Sequence, residues 1–324
     1  MQRLFAKKGA ILETKIAKQK PYQQPAPSIW FHFDGSIADN HRLSLRALGK
    51  TANHLQSAID RAYLDVKYND VFKYQKLKKD EYAEVEFIAL NAQEGGYILE
   101  AVAQKTNEMT RAIIDRFNSA LVSAYDKDVS AGENESKGLI DQANLRSRVF
   151  KSNNEADTYD DFVSQELNQL SRSYGERSIN KEVDQVLSLI RIDQFEDSIF
   201  EIQLYGNSSG PKLTFDRNRA TRFHKVISER RVGTPLICEL ELRSLDAGRG
   251  GQAAHGKAKN LDSGKECNML IPDPKVFGKL ASHLRRIKRK RLKVVACPIY
   301  EYDAWDPKGG DIVVIEFIEV LEDE

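Results

Sequence analysis

The chain has 324 residues, 41% of them hydrophobic and 30% charged, with 49 Lys and Arg against 48 Asp and Glu for a net charge of +1. Its mean hydropathy is −0.53, and it has no apolar run near the roughly 18 residues of a membrane span, which excludes a helical membrane protein. Three widely spaced cysteines, Cys238, Cys267 and Cys297, fit neither a disulfide framework nor a paired-cysteine zinc site and read as buried thiols in a reducing cytoplasm.

The length predicts about two domains. Residues 1–28 read as a basic arm and a Pro/Gln linker, KPYQQPAPS, without the apolar core of a secretory signal. An α+β domain over 29–231 opens with a strand at 29–33 and the turn Asp34-Gly35-Ser36. A long helix at 43–68 follows, with Leu45, Leu48, Ala52, Leu55, Ile59, Ala62 and Val66 forming one apolar stripe. Residues 83–90 and 95–103 read as a hairpin around Glu94-Gly95-Gly96, and 105–125 as a second long helix. Two or three shorter helices are expected, around 137–150, 158–173 and 180–190, then a hairpin at 198–216 and a basic helix at 217–231. This domain is therefore expected to pack long helices on a small antiparallel sheet.

From residue 232 the pattern changes to strands at 235–247, 253–262 and 264–272, a helix opened by Asp273-Pro274, and strands at 291–303 and 311–321. Five strands with the helix between the third and fourth predict a small five-stranded OB-like or SH3-like barrel over 232–324. The pairing of WFHFDGS and HRLSLRALGKTANHLQSAIDRAYLD with this C-terminal module resembles uncharacterised bacterial proteins that join an N-terminal α+β domain to such a barrel. The resemblance runs from about residue 29 to the end. It implies a bacterial chain in a phage-defence or mobile-element setting, and it carries no functional residue with it.

Segment 283–293, HLRRIKRKRLK, holds seven Arg or Lys. A helix C-terminus favours two or three cations through its dipole; Arg285, Arg286, Lys288, Arg289, Lys290, Arg291 and Lys293 together exceed that and point to an anionic partner. Tyr300, Tyr302 and Trp305 follow closely, and aromatic faces beside a cationic track suit nucleic acid. Arg217 and Arg222 on the basic helix would extend the track. These residues predict a DNA- or RNA-binding protein without enzymatic activity. The alternatives are an assembly subunit, as a homo-oligomer or within a protein complex, and a cryptic nuclease.

Catalytic signals are sparse. No phosphate-binding GxxxxGK[ST] loop, HExxH or GxSxG is present, and no cofactor is implied. Arg219 and His224 share one helix, a spacing similar to that of HEPN ribonucleases, although the flanking strands differ from that family's helical bundle. His32, His41 and His54 lie near Asp34 in sequence, and acids cluster in NNEADTYDDF. Packing and helix-capping account for both groups, and no metal site is expected.

Overall fold

The computed structural model describes residues 25–69, 71–93, 96–130, 138–248, 252–284 and 290–321. It is a mixed α+β protein with two sheets. The first sheet centres on β1 (Ser28–Asp34), which pairs antiparallel with β3 (Tyr97–Ala103) on one side and β5 (Ile199–Tyr205) on the other. The short strands β2 (Phe87–Ala89) and β6 (Leu213–Phe215) form its edges. Alternation in SIWFHFD buries Ile29, Phe31 and Phe33 on one face, where Phe31 meets Leu99 and Ile202 in register.

Helices cover that face. Ser44 caps α1 (Leu45–Tyr68) by accepting from the Ala47 N–H at 3.1 Å, and Asn69 closes it in the left-handed region at φ 50°. The stripe read from the sequence is buried through Leu55, Ile59 and Ala62, whereas Leu45 in the first turn is 84% exposed. Next come α2 (Glu108–Ser130), α3 (Leu139–Asn153), β4 (Asp157–Thr158) and α4 (Tyr159–Leu187). The two helices expected at 158–173 and 180–190 are thus one. A mid-helix glycine costs about 1 kcal/mol against alanine, yet Gly175 does not break α4. A Cβ there would come within 2.5 Å of the Asp65 carboxyl on α1, so glycine is what lets these two helices approach.

After α5 (Arg217–Ser228), the chain passes into the second sheet, to which β4 also belongs, through β7 (Arg230–Val232). The sheet continues with β8 (Leu236–Asp246), β9 (Ala254–Asn260), β10 (Glu266–Ile271), β11 (Arg291–Glu301) and β12 (Ile312–Leu321), with α6 (Pro274–Ala281) between β10 and β11. Its order is β4-β8-β9-β10-β12-β11-β7, seven strands in place of the expected five. The additions are β4, which runs parallel to the start of β8, and β7, which pairs with the end of β11. Each is only two or three residues long, so periodicity had no length over which to register. β8 also pairs with β11, so the pairings run in a cycle through β8, β9, β10, β12 and β11.

Inward residues of the cycle, among them Leu240, Ala258, Met269, Leu292 and Val314, form one core with Val276 and Leu280 of α6. Tyr159 and Phe162 of α4 meet Trp305 edge-on within the same core. On the outside of the sheet, Ala143 of α3 packs with Val295, Cys297, Val313 and Ile315. The three cysteines are free and buried; burial pushes the Cys267 and Cys297 thiols up to about 12.

Candidate nucleic-acid interface

Arg285, Arg286, Lys288 and Arg289 lie outside the described residues. Lys290 leads into β11, where the next two cations are met by acids. Arg291 Nη2 lies 2.7 Å from Glu239 Oε2 across the β8–β11 pair, and Lys293 Nζ lies 3.8 Å from Glu319 on β12. The outer face of β11 is therefore locally neutralised.

The three aromatics expected to stack on bases are interior. Tyr300 is 7% exposed and belongs to the second-sheet core, with the Arg231 guanidinium 4.0 Å from its ring centroid. Trp305 is 3% exposed, and its Nε1–H donates to the Asp311 carbonyl at 3.1 Å. Tyr302 is 5% exposed and enters the core of the other sheet, where its hydroxyl donates to Glu176 at 3.0 Å. The strand expected over 291–303 is thus shorter. The strand ends at Glu301, and Tyr302 turns away at φ 53°. None of the three offers a face to solvent.

On α5 the half-buried cations Arg217 and Arg219 are also engaged. Arg217 pairs with Asp193, and the Arg219 guanidinium stacks 4.2 Å from the Tyr125 ring centroid. Arg222 is exposed. His224 Nδ1 lies 2.9 Å from Asp184 Oδ2, and that buried carboxylate also binds Arg191. Arg219 and His224 therefore differ in these contacts.

His32, His41 and His54 serve the first domain. His32 Nδ1 contacts Glu201 at 2.9 Å, His54 Nδ1 contacts Glu182 at 2.7 Å, and His41 Nδ1 accepts from the Gly96 N–H at 2.9 Å. Among the described residues no three His, Cys, Asp or Glu converge on a metal position. A cleft of about 310 Å³ between α3 and the start of α6 is lined by Asn144, Ser147, Arg148, Lys151, Pro272 and Val314, among others.

A different surface, carrying two lysines, lies on β9 and β10. Outward residues on β9 are His255, Lys257 and Lys259, and opposite them in register on β10 stand Leu270, Asn268 and Glu266. Lys257 Nζ is 3.5 Å from Glu266, a solvent-exposed pair of little energetic consequence.

One end of this surface meets a strap from the first domain, residues 71–78, which the sequence reading passed over. Val71 is fully buried and Leu77 packs against the first core, which fixes both ends of the strap. Between them a turn forms, with the Gln75 N–H donating to the Phe72 carbonyl at 3.1 Å. The Lys73 N–H donates to Asp306 Oδ2 at 2.8 Å, and Lys73 Nζ reaches Asp311 Oδ1 at 3.2 Å. Asp311 in turn accepts from Asn268 Nδ2 at 2.9 Å. Lys308 Nζ and Lys265 Nζ lie 4.5 and 5.9 Å from the Phe72 ring centroid. The available signal was compositional: lysines and aromatics interleave through KYNDVFKYQKLKKDEY (67–82).

No family model, no curated protein and no solved structure matches the chain.

Proposed function

We propose that this protein binds single-stranded nucleic acid on the outer face of β9 and β10, and that the cycle of five strands is a barrel of the OB type. The observation that carries the reading is the pairing order. Counting from β8, the strands follow one another as first, second, third, fifth, fourth and back to first. The third and fifth, β10 and β12, are parallel, and α6 joins the third to the fourth. In OB barrels the second and third strands, with the loops beside them, are the surface that holds oligonucleotides. Here that surface carries Lys257, Lys259, His255 and Asn268. The cations supply phosphate attraction, and the amide can both donate to and accept from a base edge.

The test is fluorescence anisotropy of labelled single-stranded and duplex DNA and RNA at two salt concentrations, with wild-type protein and a Lys257→Glu/Lys259→Glu variant. Single strands are expected to bind more tightly than duplex, less tightly as salt rises, and much less tightly to the variant. Absence of binding at low salt, or equal binding by the variant, overturns the reading.

A further inference from the structure

We infer that Tyr74 is a base-stacking platform, so that the nucleic-acid surface is completed by the first domain. This inference rests on the binding reading above and adds to it the aromatic component that Tyr300, Tyr302 and Trp305, all buried, leave unfilled.

Tyr74 is 49% exposed, although the strap that carries it is anchored in the core on both sides. It stands beside Lys73 at the apex of the Phe72–Gln75 turn. Three contacts hold that apex against the second sheet. The Asp306 carboxylate takes the Lys73 N–H, the Lys73 ammonium meets Asp311, and the Tyr74 ring lies over Gly309, where an added Cβ would come within 3.2 Å of Cε2. The ring is therefore held in place before any ligand arrives, which reduces the ordering cost of binding.

Its neighbours suit a nucleotide. Lys73 Nζ is 5.7 Å from the Tyr74 ring centroid. Through Asp311, Lys73 connects to Asn268 on the outer face of β10. Lys76, Lys78 and Lys79 are exposed further along the strap segment. Three of the acids close by are paired or hydrogen-bonded. Asp306 is buried under backbone N–H donors, Asp311 is shared between Lys73 and Asn268, and Glu266 faces Lys257. A strand on the β9–β10 face would run toward Tyr74 with cations for its phosphates and one exposed ring for a base.

The experiment compares full-length wild type with Tyr74→Ala and Tyr74→Phe. The probes are fluorescein-labelled oligothymidine and oligouridine, and an abasic oligonucleotide of the same length. Stacking on one aromatic changes affinity by about tenfold on alanine substitution. Tyr74→Ala is expected to weaken both base-bearing probes by about that factor and to leave the abasic probe unchanged, while Tyr74→Phe binds as wild type does. Equal weakening of all three probes would mean that the ring only positions the strap, and would overturn the inference. Unchanged binding by Tyr74→Ala, with loss in Lys257→Glu/Lys259→Glu, overturns it while the β9–β10 reading stands. No binding of any probe by wild type, with Tyr74→Ala instead losing a captured protein, overturns both.

Discussion

The backbone N–H of Lys73 donates to the carboxylate of Asp306 across 233 positions of sequence, at 2.8 Å. Lys308 donates to the other carboxylate oxygen at 2.8 Å, and Gly309 contributes a further backbone N–H. One buried side chain thus organises the loop before β12 and holds the strap of the first domain against it. Removing it leaves part-buried donors without this acceptor, each costing at most about 1–3 kcal/mol. Asp306→Ala is expected to lower the urea midpoint and to open the strap to trypsin at Lys73 and Lys76. Unchanged cleavage at those sites would show that the strap is held by other contacts.

Asp306 also has a pH signature. Burial raises its carboxyl above the ordinary 3.8, and hydrogen bonds from Lys73, Lys308 and Gly309 only partly oppose this. An acid whose folded value is raised favours the native state when protonated. Its contribution is complete below 3.8 and is lost as pH climbs through the raised value. Glu81 behaves in the opposite way. Burial pushes it up, but Lys67, Tyr68 and the Lys78 N–H outweigh that and hold it at about 2. Its contribution is complete above 4.5 and is lost as pH falls toward 2. Acid unfolding of Glu81→Gln is therefore expected to be shallower between pH 4.5 and 2 than that of wild type. Coincident acid limbs for the two proteins would refute this.

The buried aromatics separate stability from binding. Trp305 is enclosed by Tyr159 and Phe162, and truncating a core aromatic costs about 3–5 kcal/mol. Trp305→Ala should therefore unfold at a markedly lower temperature. Tyr302→Phe keeps the ring in the first core and deletes the hydroxyl that meets Glu176, at a cost of about 1 kcal/mol. In differential scanning calorimetry both variants should show reduced stability, and the folded Tyr302→Phe protein should bind the oligonucleotide probes as wild type does. A Tyr302→Phe protein of full stability and reduced affinity would restore the aromatic to the binding surface.

The elements legible in the sequence are those long enough to show a period. β1 alternates over seven residues, α1 repeats its stripe over 24, and the strand–strand–strand–helix–strand–strand order from β8 to β12 survives in the fold. What could not be read depends on contacts distant in sequence. Gly175 looks like a break until Asp65 is placed against it, and β4 and β7 exist only because β8 and β11 offer edges to them. Tyr302 looked like a continuation of β11 because alternation says nothing of a residue that turns at positive φ. The strap was passed over because 69–82 has neither period, yet its interleaved Lys and Tyr are the pattern that had been sought near Tyr300.

The run that begins after α6 divides into two groups of cations with different expected behaviour. Arg291 and Lys293 are engaged with Glu239 and Glu319, so neither is expected to supply a phosphate contact that enters the slope. Arg285, Arg286, Lys288 and Arg289 add four charges in five positions. For single strands, each phosphate-bound cation contributes about 0.7 to the slope of log affinity against log salt. Replacing these four by Ser should weaken oligonucleotide binding at low salt and flatten that slope, by up to about 3 if all four are engaged. Arg291→Ser should leave the slope close to that of wild type. A four-fold variant with the wild-type slope would assign the phosphate contacts to Lys257, Lys259 and the strap alone.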